Sequence, residues 1–217
     1  DGSRCERLTW TSQGEVWGYV WSPDGRQIAF TLDSSPHGLP GVQLALVSLE
    51  DSRFSTLTPP GADGSFAWSQ DGRFLAYLWQ TNPQAARSPL ALRVVDLTTE
   101  KVITVTTFSN DLLPDPEIPA LCSQPFPYPL LPVYMVEAAG RGSPAIWDVQ
   151  TRQKTAVLGS ALYCQHVWLP SGEGVFFPKV EWGEEGIRIA GVSEEIVYPL
   201  SLAWWRRGDE APTVILQ

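Results

Sequence analysis

Hydrophobic and polar positions along this chain alternate in short runs broken by Pro, Gly, Asp and Ser, the pattern of many short β-strands joined by turns. Gly18 to Trp21 is an apolar and aromatic run, Ser22-Pro23-Asp24-Gly25 is a turn, and Gln27 to Leu32 resumes β-favouring residues, which together predict a hairpin. Beyond the loop Asp33 to Gly41, Gln43 to Leu49 predicts a third strand. Glu50 to Arg53 is a polar turn, and Phe54 to Thr58 is a fourth strand. The same course runs again through Arg73 to Trp79, Ala91 to Leu97, the turn Thr98 to Glu100, and Val102 to Thr107.

The likeness extends to identity. Val20-Trp21-Ser22-Pro23-Asp24-Gly25-Arg26 returns 47 positions on as Ala67-Trp68-Ser69-Gln70-Asp71-Gly72-Arg73. A repeat of ~40–50 residues rich in strands has the period of a β-propeller blade. A worn copy, Val167-Trp168-Leu169-Pro170-Ser171-Gly172, places a fourth blade. Between them a degenerate third has Val133 to Val136, Ala145 to Val149 and Lys154 to Leu158 as strands, with its first strand in the proline-interrupted stretch around Leu121 to Tyr128. The fourth blade is expected to finish with Gly186 to Val192 and Glu195 to Tyr198.

The chain ends suggest more. Asp1 to Thr9 matches the close of a blade, with Arg4 to Thr9 as its strand, while Trp204 to Asp209 and Thr213 to Leu216 look like the first two strands of another. Joined, they would form a composite fifth blade and remove an exposed strand edge. The competing reading is a piece of a longer propeller. The expectation is thus an all-β chain, residues 1–217 forming one propeller domain of four-stranded antiparallel blades, four recognisable plus this composite. Trp21, Trp68, Trp168 and Trp205, four of ten tryptophans, are expected at one repeat position, packed between blades.

The residues Trp21 to Phe30 and their variant Trp68 to Tyr77 resemble the TolB-like propeller family of Pro-Asp repeats, related in style to WD40 repeats. The resemblance covers the first two blades well and the fourth loosely. It implies a bacterial or archaeal propeller, often of the periplasm or cell envelope, that serves as a protein-binding platform. Similar repeats form the non-catalytic gate of prolyl-oligopeptidase-type enzymes, so the repeat identifies a fold better than a function.

A net charge of −9 argues against a nucleic-acid surface, which needs clustered Lys and Arg. No apolar run is long enough to span a membrane as a helix, and no signal peptide is visible at Asp1. Gly-x-Ser-x-Gly does not occur. Of the two histidines, His37 reads as solvated and His166 as a hydrogen-bonded structural residue; Asp24, Asp51 and Asp71 read as turn residues. Cys5, Cys122 and Cys164 contain no CxxC and have no histidine at ligand spacing. Three unpaired thiols is the plainer reading, with a Cys122 to Cys164 disulfide as its alternative. No catalytic, cofactor or metal residue is therefore assigned, and a small-molecule ligand is left open.

In a blade of alternating strands, the first-to-second and third-to-fourth turns share one face. The second-to-third loops and blade-to-blade connections share the other. Irregular segments fall on the second face, where recognition usually resides, and Trp79, Arg87, Phe126, Tyr128 and Trp182 are the candidate contacts there. The expected function is a non-catalytic protein-binding or assembly module, extracytoplasmic, with a protein partner. The alternative is the propeller part of a peptidase or glycosidase.

Overall fold

A computed structural model describes residues 14–34, 41–83, 85, 88–109, 118–136, 141–159, 161–162, 164–180, 187–188, 196–197 and 200–216. The chain divides into two compact units, Asp1–Asp111 with Ser123–Pro125, and Leu112–Cys122 with Phe126–Gln217. Every regular element among the described residues is a strand.

The first unit holds two blades. β1 (Glu15–Trp21), β2 (Gln27–Asp33), β3 (Val42–Ser48) and β4 (Phe54–Thr56) pair in chain order. β5 (Ala62–Trp68), β6 (Phe74–Gln80), β7 (Leu90–Asp96) and β8 (Lys101–Phe108) do the same, all antiparallel. The repeated Ser-x-Asp-Gly motif forms the first hairpin turn by local hydrogen bonds. Ser22 Oγ donates to Asp24 Oδ1 at 2.6 Å and accepts from the Gln27 N–H at 2.9 Å, while Asp24 Oδ1 also accepts from the Arg26 N–H at 3.0 Å. The Ser22 hydroxyl, then the Arg26 amide, hold the Asp24 carboxyl below its ordinary pKa. Ser69 and Asp71 repeat these bonds toward Phe74 and Arg73. Gly25, Gly72 and Gly172 sit at φ 70°, 69° and 71°, a left-handed turn position at which a β-carbon is costly.

The two blades share one core. Phe66, Trp68, Leu75, Tyr77 and Val95 of the second pack on Ala29, Leu44 and Leu46 of the first. Trp68 is fully buried and donates its indole N–H to the Val20 carbonyl at 3.3 Å. Trp21, at the same repeat position one blade earlier, is 52 % exposed, with Val16, Trp17 and Tyr19 exposed beside it on β1.

In the second unit, β9 (Ile118–Ala120), β10 (Leu130–Val136), β11 (Arg141–Asp148) and β12 (Gln153–Val157) make the third blade. The first strand thus precedes the stretch 121–128 in which it was expected. Pro125, Pro127 and Pro129 have no N–H for a ladder, whereas Pro119 is tolerated because β9 is an edge. The short β13 (Ala161–Leu162) bridges β11 to β15 and so links the third blade to the fourth.

The fourth blade departs from expectation. β14 (Val167–Trp168) pairs with β15 (Gly174–Val180), as the repeat requires. β16 (Ile187–Arg188) and β17 (Ile196–Val197) pair only with each other among the described residues. The third and fourth strands are β18 (Leu200–Arg206), matched to β15 along its whole length, and β19 (Thr213–Leu216). One recurring hydrogen bond proves the equivalence. The amide just after the third strand donates to the carbonyl just before the second in every blade: Leu49 to Arg26, Leu97 to Arg73, Val149 to Pro129 and Arg207 to Glu173, at 2.8–2.9 Å.

Two expectations are corrected by this. Trp204 to Leu216 does not open a fifth blade but closes the fourth, and Arg4 to Thr9, its intended partner, lies outside the described residues. Trp205 is buried, but on a third strand, and so is not an equivalent of Trp68; its indole donates to the Asp209 carbonyl at 3.1 Å. Trp168 does keep the repeat role, packing with Val175 and Phe177 against Leu130, Ile146 and Leu158 of the third blade.

Cys122 and Cys164 form a disulfide, with Cα atoms 5.3 Å apart. The reading of three unpaired thiols is therefore corrected. The third and fourth blades bring together two residues separated by 42 positions, a proximity that sequence spacing alone does not carry. Cys5 lies outside the described residues.

Candidate functional site

The two ends of the first unit's blades differ as the strand order requires. At one end the third-to-fourth turns meet the first-to-second turns through the recurring bond above. At the other, the blade connection meets the second-to-third loop: the Gly61 amide donates to the Val42 carbonyl, and the Gln80 amide donates to the Gly61 carbonyl at 2.8 Å.

Trp79 stands at this loop end, one residue before β6 gives way to the loop. It shares its face of the sheet with Leu75 and Tyr77, because side chains alternate along a strand. Across the ladder Tyr77 pairs with Arg93 and Trp79 with Ala91. The Arg93 guanidinium carbon lies 3.9 Å from the Trp79 ring centroid, a close cation–π stack. Both residues are half-buried and Tyr77 is buried. Burial raises the Tyr77 phenol pKa, against the opposing pull of the neighbouring Arg93.

The five candidate contacts are not brought together. Trp79 is at the loop end of its blade. Arg87 and Trp182 lie outside the described residues. Phe126 is fully buried, and its side chain offers no surface. Tyr128 precedes β10 in the turn whose Pro129 carbonyl accepts from Val149, the bond that marks the turn end of a blade. Pro127 in the same segment abuts the Gly172 turn, where a β-carbon would stand 2.6 Å from Pro127 Cβ. Phe126 and Tyr128 thus belong to a first-to-second turn and not to an irregular loop. Arg93 was missed by the sequence reading, although it carried a signal: it interrupts the inward alternation Ala91, Arg93, Val95 with a charge.

The turn end of the first unit has a feature of its own, a cleft of about 440 Å³ between its two blades. Polar groups of Gln27, Ser48, Arg53 and Glu100 line it beside Leu46 and Val95. Near it Arg73 holds Asp96 through two hydrogen bonds of 2.6 and 3.2 Å, which keep that carboxyl well below its ordinary pKa. This arginine of the repeat motif braces its own blade.

His166 is buried in the second unit, its Nδ1 3.1 Å from the Tyr134 hydroxyl. Burial lowers its pKa to about 4. An unfolded histidine, at about 6.5, takes up a proton first, so this contribution to stability is complete above pH 6.5 and is lost as pH falls toward 4. The expected loss on reaching pH 4 is on the order of 3 kcal/mol. Denaturant midpoints of the wild type and His166→Gln, measured between pH 7.5 and 4.5, should diverge over this window; parallel curves would refute the assignment. His37 lies outside the described residues. Among the described residues no three His, Cys, Asp or Glu side chains are grouped to hold a metal ion.

No family model matches the chain, and no curated protein matches it. Solved structures do. TolB from Acinetobacter baumannii superposes with a TM-score of 0.54 at 14 % identity, over 94 % of this chain and 44 % of that one. The β-propeller domain of the Trilobed protease from Pyrococcus furiosus gives 0.59 at 10 % identity, over 96 % and 59 %. Pyrococcus horikoshii acylaminoacyl peptidase gives 0.61 at 11 % identity, over 97 % and 34 %. The chain spans less than two thirds of each of these proteins. Its fold is a TolB-like β-propeller of four-stranded blades, shared with TolB and with peptidase propeller domains.

Proposed function

We propose that residues 1–217 form one β-propeller domain that acts as a non-catalytic protein-binding or assembly module of the bacterial cell envelope, through the loop ends of its blades. The observation that carries this reading is the Trp79–Arg93 stack. Tryptophan and arginine are the residue types enriched at interface hot spots, and here both are half-buried where β6 meets an irregular loop. The likeness to TolB supports an extracytoplasmic setting, and the Cys122–Cys164 disulfide agrees with an oxidising compartment. Among the described residues no helix is long and apolar enough to cross a membrane.

A photo-crosslinking residue placed at position 79 or 87 should capture a protein in intact cells, whereas one at position 26 or 53, on the turn end, should not. Capture from the turn end alone would reverse the binding face. The peptidase likenesses favour a second reading, a propeller domain of a hydrolase. Labelling of the native protein by a serine-hydrolase probe at a serine outside residues 1–217 would select it.

A further inference from the structure

The cleft between the first two blades has two unlike walls. On the first blade Gln27 pairs with Ser48 and Leu46 with Ser55 across the ladders, so that wall is mostly polar, and exposed Arg53 lines it from the turn. The wall on the second blade is apolar. Val95 pairs with Val102 and Leu97 follows on the same face, with exposed Glu100 as the single charge, again from a turn. Leu46 and Val95 are buried and form the floor, as part of the core that the two blades share.

The repeat does not by itself require this opening. Leu57 donates its amide to the Leu44 carbonyl as Leu158 does to Pro144 in the third blade, so the two leucines hold one repeat position. Leu158 is fully buried in a cluster with Trp168, whereas Leu57 is only half-buried and lines the cleft. Arg53 and Glu100 have opposite charges and line the same space, yet no ion pair or side-chain hydrogen bond among the described residues engages either of them. Asp51, the carboxylate beside Arg53, is already held by the Ser48 hydroxyl and the Arg53 amide.

Each wall selects a chemical group. A guanidinium with free N–H donors takes a carboxylate, a carboxylate with free lone pairs takes an ammonium, and an exposed valine beside a half-buried leucine takes an aliphatic side chain. A small zwitterion carries all three. It has no net charge, so the −9 of the chain does not oppose its approach, and the cleft volume of about 440 Å³ lies within the ~300–1,000 Å³ of small-molecule sites.

We propose that this cleft binds a small aliphatic zwitterion, a free α-amino acid or a dipeptide, with its carboxylate at Arg53, its ammonium at Glu100 and its side chain against Leu97 and Val102. The site lies at the turn end and is independent of the loop-end surface, so binding here and protein capture there succeed or fail separately.

The experiment is a titration of the ¹⁵N-labelled chain at low salt, following the backbone amides of Arg53 to Leu57 and of Leu97 to Val102. The probes are leucine, leucyl-leucine, N-acetylleucine, leucinamide and glycine. Leucine or leucyl-leucine should move these resonances saturably, with a Kd on the order of 1 mM, and the tighter of the two identifies the size of the ligand. N-acetylleucine, leucinamide and glycine each lack one of the three groups and should bind at least about tenfold more weakly than leucine. The exposed positions 53 and 100 allow a sharper check. Arg53→Gln should abolish the preference for leucine over leucinamide and leave that over N-acetylleucine, and Glu100→Gln should do the reverse. Equal titration by all five probes, movement confined to resonances outside the cleft, preferences that survive both substitutions, or no saturable movement with any probe would overturn the proposal.

Discussion

Reduction of the Cys122–Cys164 disulfide is expected to lower stability by about 4 kcal/mol, the loop-closure entropy of a cross-link spanning 42 positions. The bond joins the segment after β9 to the segment before β14, two places that the strand ladders of the second unit do not otherwise tie directly. Without it, the unfolded chain regains the freedom of that loop, while Trp168, Leu130 and Ile146 keep their packing in the folded state. Replacing both cysteines with alanine should give a loss similar to that of reduction, read as a lower denaturant midpoint at unchanged slope. Loss of less than 1 kcal/mol in both would mean that the cross-link closes no entropic loop in solution.

What the sequence made legible follows from how local each interaction is. Ser22, Asp24, Arg26 and Gln27 satisfy one another within six residues, so the turn, the hairpin and its second copy could be read directly. Pairing between strands is not local. Downstream of β15 two stretches competed: Gly186 to Val192 with Glu195 to Tyr198, expected to finish the blade, and the run from Leu200 onward, whose Trp204 to Asp209 was expected to open another. The second won because seven residues pair along β15 while Ala203 and Trp205 are buried, whereas β16 and β17 pair over only two residues. The resemblance of Trp204-Trp205-Arg206-Arg207-Gly208-Asp209 to the repeat motif concealed this, since a third-strand turn and a first-strand turn draw on the same residue types.

The candidate site was legible in kind more than in membership. The assignment of loops and turns to opposite blade ends follows from strand alternation, and the bonds of Gly61 and Gln80 bear it out. Trp79 was found that way. Tyr128 was misplaced because three alternate prolines look like an irregular loop, although here they form a turn. Arg93 escaped notice because the charge that breaks the inward alternation of Ala91-Leu92-Arg93-Val94-Val95 still leaves the run readable as a strand. Its meaning depends on a ring stacked across the ladder.

Trp68→Ala should cost about 3–5 kcal/mol, whereas Trp21→Ala at the same repeat position should cost under about 1. Trp68 is fully buried against Ala29, Leu44 and Leu46, and its N–H is satisfied by Val20. Truncation removes the ring, opens a cavity between two rigid sheets and leaves the Val20 carbonyl without that donor. Trp21 is half-exposed, so its removal gives up little buried area and opens no internal void. The pair separates two claims, since the repeat motif is shared but the packing is not. Denaturant unfolding of the two variants checks it: equal large losses would show that the exposed face of β1 is covered in solution, and equal small losses would show that the contact between the two blades of the first unit contributes little to stability.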